Sequence, residues 1–112
     1  MAVEPPLPPA TFYILFALAN GEKHGYAILK GARELSDDRF RMGPATLYTT
    51  IQRLVDHNWI EPVTNIQGDD ARRRYYRLTP AGRNAVRNEL ARMEALVRKS
   101  KTMRLRPAES SS

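Results

Sequence analysis

The segment GPATLYTTIQRLVDHN, residues 43–58, decides the fold of this chain. Its apolar side chains recur at helical spacing and are Leu47, Ile51, Leu54 and Val55. Residues spaced in this way share one face of a helix, so the segment predicts a helix with a single buried stripe. Pro44 suits the first turn of a helix, because the N–H that proline lacks would have no partner there. Asn58 tolerates left-handed backbone, so the helix is expected to end beside it.

Helical periodicity precedes this segment twice and follows it once. Residues Thr11–Asn20 predict a first helix and His24–Leu35 a second. The last helix begins at Thr79-Pro80, a side-chain cap followed by a first-turn proline. Two short strands, Trp59–Ile66 and Arg73–Leu78, are predicted between the third and fourth helices and flank a polar turn. This order predicts a mainly α fold with a small β-hairpin (α+β).

Composition excludes several classes of function. The 112 residues give room for one domain, and the apolar fraction of 42% is enough for a core. The chain has no cysteine, which excludes disulfides, thiolate metal sites and cysteine nucleophiles. His24 and His57 have no neighbouring ligands at metal-binding spacing, and catalytic sets and glycine-rich phosphate loops are missing from the sequence. We therefore expect no enzyme, no metal and no cofactor.

The N-terminal sequence carries neither an export signal nor a membrane anchor that we can identify. Its longest apolar stretch, Phe12–Ala19, is far shorter than the roughly 20 residues that span a bilayer. No positively charged region precedes that stretch. We expect no membrane partner and take the cytoplasm as the default location.

Positive charge is concentrated in the second half of the chain. Residues 1–67 contain 6 Lys and Arg against 7 Asp and Glu, whereas residues 68–112 contain 12 against 5. A basic half of this kind predicts a polyanionic partner. Nucleic acid is favoured over an anionic membrane, because the basic residues do not lie opposite a strong Trp, Phe and Leu face.

The outer face of the third helix has the composition that a helix needs in the major groove of DNA. Its small, polar and basic side chains are Ala45, Thr46, Thr49, Gln52, Arg53 and Asp56. Threonine can touch a thymine methyl, Gln52 can pair with adenine, and Arg53 can reach phosphate or guanine. Tyr48 flanks the buried stripe and can direct its hydroxyl at a phosphate. An ordinary solvated helix face has the same composition, so this helix alone does not decide the function.

The hairpin supplies basic side chains directly after that helix. The guanidiniums of Arg72, Arg73, Arg74 and Arg77 fall within six residues. A β-ribbon can lay such side chains along phosphates or into a narrow minor groove. The acidic turn at Asp69-Asp70 would be repelled by phosphate, so contact is expected on the arginine stem. A solubilising charge run is the alternative interpretation.

Four sequence blocks follow one another along the chain: His24-Gly25-Tyr26, Gly43-Pro44-Ala45-Thr46-Leu47-Tyr48, Arg74-Tyr75-Tyr76 and Leu78-Thr79-Pro80-Ala81-Gly82. In residues, order and spacing they resemble the PadR-like family of transcriptional regulators. The resemblance implies a winged helix-turn-helix repressor that binds palindrome-like promoter DNA as a homodimer through its third helix and its wing. It further implies contacts to double-stranded DNA from Thr46, Tyr48, Arg53 and residues 72–74.

The last helix carries an apolar stripe with steps of four, three and four residues. Its members are Val86, Leu90, Met93 and Val97. The stripe can be core of the chain itself, but few elements are available to cover it, so a partner chain is the favoured use. The resemblance implies dimerisation through this helix packed on the first, which adds Phe12 and Phe16. A small-molecule effector is compatible with such a regulator, although no residue supports one.

These observations predict a domain organisation and leave alternative functions open. We expect a flexible proline-rich N-terminus at 1–9, a winged helix-turn-helix domain at 10–79, a dimerisation helix at 80–104 and a disordered tail at 105–112. Tyr26 and Trp59 are expected in the core, with Gly25 allowing helices to approach closely. The main alternative is a winged-helix protein-interaction module whose basic hairpin docks an acidic partner. RNA binding is less favoured, because aromatic platforms are few.

Overall fold

A computed structural model describes residues 6–63 and 74–105, and it confirms the mainly α fold with a small sheet. In chain order the elements are α1 (Pro9–Ala17), β1 (Lys23–His24), α2 (Gly25–Leu35), α3 (Pro44–Asp56), β2 (Ile60–Val63), β3 (Tyr75–Leu78) and α4 (Pro80–Ser100). Among these elements no helix has both the length and the apolar character needed to cross a membrane.

Local capping explains where the helices begin and end. The Nδ1 atom of His24 accepts a hydrogen bond from the backbone N–H of Ala27 at 3.3 Å, which caps α2. Helix α3 begins at Pro44 as predicted, and Asn58 has the expected left-handed backbone with φ of 61°. Helix α1 begins earlier than predicted, because Pro9 already occupies its first turn, and it ends at Ala17, after which residues 18–20 form turns.

The sheet is antiparallel, with the order β1-β3-β2. Strand β1 was not predicted, because two residues are too few to show an alternating pattern; its His24 pairs with Tyr75 of β3. On the other side of β3, Ile60 pairs with Leu78 and Val63 with Tyr75. Both predicted strands are present, although β2 begins one residue after Trp59 and β3 one residue after Arg74. Positions 64–66 and 73 of the predicted strands lie outside the described residues, as does the predicted turn.

All four helices and the sheet contribute to one core. The predicted stripe of α3 is confirmed, with Val55 half-buried and its other three members buried. Trp59, which was predicted in the core, is half-buried and packs against it. The core prediction for Tyr26 is wrong, since 72% of this residue is exposed. On a helix Tyr26 lies about 160° around the axis from Ile28, which is fully buried, so the two residues face opposite ways.

One buried carboxylate ties the N-terminal segment to α4. The side chain of Glu89 is 7% exposed, and Arg92 donates to its two oxygens from Nε at 3.1 Å and from Nη2 at 2.7 Å. These hydrogen bonds lower the pKa of Glu89, and a further one from the backbone of Leu7 acts in the same direction, whereas burial opposes them. The charged form of Glu89 is therefore the one that stabilises the fold.

Replacing Glu89 by glutamine tests this contribution. Because the folded state lowers its pKa, the carboxylate stabilises the fold above the ordinary glutamate pKa, and that contribution is lost as the pH falls through the folded value. Urea unfolding should show Glu89→Gln to be less stable than the unmodified chain by about 1–2 kcal/mol at neutral pH, with the difference shrinking in acid. Glu94→Gln, at an exposed position of α4, is the control. A difference that stays constant down to strongly acidic pH would contradict this account.

Candidate nucleic-acid interface

The outer face of α3 is exposed along its whole length. All six residues predicted for this face are exposed, and they are Ala45, Thr46, Thr49, Gln52, Arg53 and Asp56. Tyr48, at the edge of the face, is 52% exposed. The Nε2 atom of Gln52 donates to Oδ1 of Asp56 at 3.0 Å, one helical turn further on. This bond orients the Gln52 amide while its carbonyl oxygen and one N–H remain available.

The connection between α2 and α3 holds this face in place. Ser36 is buried, and its hydroxyl accepts a hydrogen bond from the backbone N–H of Phe40 at 3.0 Å. The ring of Phe40 stacks on Tyr13 of α1, with centroids 5.3 Å apart. Asp38 accepts hydrogen bonds from Arg41 at 2.7 Å and Arg33 at 3.0 Å, and these two bonds lower the pKa of its carboxyl. The α2–α3 connection is thus held by packing and by short polar contacts.

The wing is the hairpin that contains β2 and β3, and these strands carry fewer free cations than the sequence indicates. Arg74, just before β3, is exposed, whereas Arg72 and Arg73 lie outside the described residues. Nε of Arg77 donates to Oε2 of Glu61 at 2.8 Å, and these two residues are direct partners across β2 and β3. The charge of Arg77 is therefore compensated locally, which was not predicted because Glu61 lies sixteen positions away.

A junction of four residues joins α3, the wing and α4: Asn58 and Trp59 on one side, Thr79 and Gly82 on the other. The backbone N–H of Thr79 donates to the Trp59 carbonyl at 3.0 Å, and its hydroxyl donates to the Asn58 carbonyl at 2.6 Å. The same hydroxyl accepts from the Gly82 N–H at 3.0 Å, which caps α4. A Cβ on Gly82 would overlap the Trp59 carbonyl oxygen. Only glycine permits this approach, so the junction sets where the wing lies relative to α3.

The residues predicted for dimerisation are divided between the core and the surface. Phe12 and Val86 are buried in the core of their own chain, with 7% and 2% of each exposed. Phe16 and Met93 are half-buried against that core. Leu90 and Val97 are exposed, as is Leu96, which the sequence analysis missed because it stands outside the heptad steps. The first turns of α4 thus pack within the chain, and exposed apolar side chains follow them.

Ionisable side chains do not converge elsewhere in the described part of the chain. Across residues 6–63 and 74–105, no group of three or more His, Asp or Glu side chains is arranged to hold a metal ion. The ion pairs there are the local ones of the α2–α3 connection, the wing and α4.

The fold defines a winged-helix protein, with α3 beside a small antiparallel wing. The family model described as the transcriptional regulator PadR-like family matches residues 14–88, and the chain belongs to this family. A transcriptional regulator of Mycobacterium tuberculosis is 36% identical over 86 residues, which cover 77% of either chain. An uncharacterised 37.1 kDa protein in transposon Tn4556 of Streptomyces fradiae is 36% identical over 87 residues, 78% of this chain. The matched part spans only 24% of that longer protein.

Solved structures of transcriptional regulators share the fold. A regulator from Clostridium thermocellum superposes with a TM-score of 0.66 at 26% identity, covering 86% of this chain and 90% of its own. Bacillus subtilis PadR in complex with operator DNA gives 0.65 at 23%, covering 96% of this chain and 53% of PadR. Bordetella bronchiseptica BpsR, whose DNA binding is regulated by 6-hydroxynicotinic acid, gives 0.64 at 25%, covering 96% and 74%. The family is one of regulators rather than enzymes, which agrees with the expectation from the sequence.

Adding a methyl group at Gly82 tests the junction. In Gly82→Ala the new Cβ meets a backbone carbonyl that cannot rotate away, so the wing or α4 has to shift. We expect a loss of about 1–3 kcal/mol in the free energy of unfolding, measured by urea denaturation. Gly43→Ala is the matched control, because nothing lies within 4 Å of a Cβ there. Equal stabilities of the two variants would contradict a junction that requires glycine.

Proposed function

We propose that this chain is a sequence-specific DNA-binding transcriptional repressor that acts as a homodimer. Helix α3 enters the major groove, and the wing lies on the phosphates or in the adjacent minor groove. The observation that carries the proposal is the exposed, polar face of α3 beside a strand that directly follows exposed Arg74. We divide the chain accordingly into a DNA-binding domain at 10–79 and a dimerisation helix at 80–104.

Family membership supports this assignment. Bacillus subtilis PadR, which has the same fold, was solved with operator DNA, and this chain spans about half of its length. In the proposed complex Thr46, Thr49 and Gln52 face the base edges, while Tyr48 and Arg53 reach the backbone. Residues 72–74 of the wing add salt-dependent affinity that carries no sequence information. Occupancy of the operator blocks polymerase sterically.

Dimerisation would follow from the exposed part of α4. Leu90, Leu96 and Val97 are 36%, 51% and 57% exposed, and the half-buried Phe16 and Met93 complete the apolar set. A two-fold axis through such a surface makes the interface isologous, with the same side chains contributed by both protomers. It presents two α3 helices to half-sites about 34 Å apart, which suits a palindrome-like operator.

The proposal is tested by selecting DNA fragments from the protein's own genome and measuring their retardation in gels at physiological salt. Specific retardation of the selected fragments over mixed-sequence duplex is the expected result. Equal or absent retardation, together with capture of the protein by an acidic peptide column, would instead favour a protein-interaction module with a basic hairpin.

The wing arginines are expected to set the salt dependence of binding. The double variant Arg73→Ala/Arg74→Ala should weaken binding to every duplex and reduce the slope of log affinity against log salt by about 0.9 for each phosphate that is no longer neutralised. Fluorescence anisotropy over a salt series measures both. The control is Glu61→Ala/Arg77→Ala, which removes a pair without net charge. An unchanged slope in the arginine double variant would rule out the wing as a phosphate clamp.

The exposed apolar residues of α4 are expected to hold the dimer together. Two like charges per protomer in an apolar interface are strongly unfavourable, so Leu90→Glu/Val97→Glu should sediment as a monomer and bind two half-sites more weakly. Analytical ultracentrifugation measures the association, and circular dichroism checks that the fold persists. Leu105→Glu, at a position 72% exposed beyond α4, is the matched control. A dimer of unchanged stability in the double variant would place the interface elsewhere.

A further inference from the structure

Four aromatic side chains lie on the surface between α3 and the wing; three of them are in ring contact, and the fourth lies against the first turn of α2. We name this surface the aromatic bridge; it consists of His24 of β1, Tyr26 of α2, Tyr48 of α3 and Tyr75 of β3. The ring of His24 meets Tyr75 edge-on at a centroid distance of 5.3 Å and lies nearly parallel to Tyr26 at 6.5 Å. Neither Tyr26 nor Tyr75 was among the DNA contacts predicted from the sequence.

Gly25 makes room for the fourth ring. A Cβ on Gly25 would lie 2.6 Å from the Tyr48 hydroxyl oxygen, 3.0 Å from its Cζ and 3.1 Å from its Cε1. Gly25 begins α2, so its backbone is helical and does not itself require glycine. The close contact comes from Tyr48, whose ring lies against the first turn of α2 and would be displaced by a methyl group at Gly25. The glycine predicted to allow helices to approach thus admits a side chain of the neighbouring helix.

The bridge leaves two phenols available to a ligand. Tyr26 and Tyr48 are 72% and 52% exposed. Within residues 6–63 and 74–105 their hydroxyls make no hydrogen bond, so both can donate to an external acceptor. Exposed aromatic rings grouped in this way are typical of contact surfaces rather than of an inert exterior.

The position of the aromatic bridge between α3 and the wing indicates which ligand it contacts. Tyr48 directly precedes Thr49 of the reading face, and Tyr75 directly follows Arg74 of the wing. A duplex that contacts both α3 and the wing has to cross the surface between them. Tyr26 lines one cavity with Glu34, Asp37 and Asp38, but the cations Lys30 and Arg33 line the same cavity. Arg33 pairs with Asp38, so the acidic charge beside Tyr26 is partly compensated, and phosphate can approach Tyr26 from the beginning of α2.

We infer that the aromatic bridge binds the DNA sugar-phosphate backbone between the major-groove contact and the wing contact. The hydroxyls of Tyr26 and Tyr48 donate hydrogen bonds to phosphate oxygens, and Gly25 is the positioning residue that lets Tyr48 do so. His24 and Tyr75 support the two phenols from the sheet side. This inference rests on the proposed function and adds Tyr26 of α2, which lies outside both α3 and the arginine stem, to the backbone contact of Tyr48.

Removing single hydroxyl groups tests the inference. Tyr26→Phe and Tyr48→Phe should each weaken binding to a genome-selected duplex and to a mixed-sequence duplex alike, by about tenfold. The salt slope should stay unchanged, because a phenol carries no charge and displaces no counterion. Tyr13→Phe is the matched control, since it removes the same group from α1, where the ring stacks on Phe40. Fluorescence anisotropy with the full chain gives all of these values.

A double-mutant cycle tests the role of Gly25. Gly25→Ala should weaken DNA binding, but Gly25→Ala/Tyr48→Ala should bind no more weakly than Tyr48→Ala alone, because the glycine acts through that ring. Thermal unfolding of each variant separates this effect from a loss of structure. If Gly25→Ala does not fold, the two phenylalanine variants still decide the inference.

Each of the remaining outcomes contradicts either the backbone contact of the aromatic bridge or the proposed function itself. If the unmodified chain binds DNA and the phenylalanine variants match Tyr13→Phe, the bridge is not a backbone contact, although the proposed function stands. If the unmodified chain binds neither duplex, the proposed function fails as well. If Tyr26→Phe and Tyr48→Phe keep full affinity while Tyr26→Ala and Tyr48→Ala lose affinity mainly for single strands, the rings stack on bases instead.

Discussion

The close approach of Gly82 to the Trp59 carbonyl is the constraint on which the rest of the structure depends. A side chain at Gly82 would overlap that oxygen, and Thr79 completes the same contact with three hydrogen bonds to Asn58, Trp59 and Gly82. This contact therefore fixes the end of α3, both strands of the wing and the beginning of α4 relative to one another. A change at this point would move the wing away from α3 and redirect the apolar surface of α4.

The side chains that the core leaves exposed form the surfaces of α3, the wing and α4. Helix α3 buries Leu47, Ile51 and Leu54, so its remaining faces carry the small and polar residues. Helix α4 buries Val86 and Glu89, and beyond them Leu90 is the first of the exposed apolar side chains. Within the wing the Glu61–Arg77 pair compensates one cation, so the positive charge for a polyanion lies nearer Arg74. One packing arrangement thus separates the polar surface proposed to read DNA from the apolar surface proposed to join two chains.

Local patterns made most of the fold predictable. Side-chain periodicity predicted the four helices, and the caps at Thr79 and the left-handed Asn58 are recognisable from neighbouring residues alone. The outer face of α3 was predictable for the same reason, since it is the complement of a buried stripe. Long-range pairings were not predictable: the two-residue strand β1 has no period of its own. The compensation of Arg77 likewise depends on a partner sixteen positions away.

Side chains were misplaced where residue type and helix geometry disagree. Tyr26 was expected in the core because it is large and aromatic, but it faces away from Ile28 and lies 72% exposed. Phe12 and Val86 were predicted for association between chains, and in the single chain both are buried in the core. In each case burial depends on the position of the residue around its helix and on the elements that pack beside it. The packing of those elements cannot be derived from a single sequence.

In the proposed complex two copies of α3 lie in successive major grooves. Site-directed DNA cleavage can locate both copies on the duplex. The chain has no cysteine, so Thr49→Cys gives a single attachment point for an iron chelate that cuts nearby DNA. On fragments selected from the genome, the account predicts two clusters of cuts about 34 Å apart. Cuts spread evenly along the fragment, or none above those of the free reagent, would contradict it.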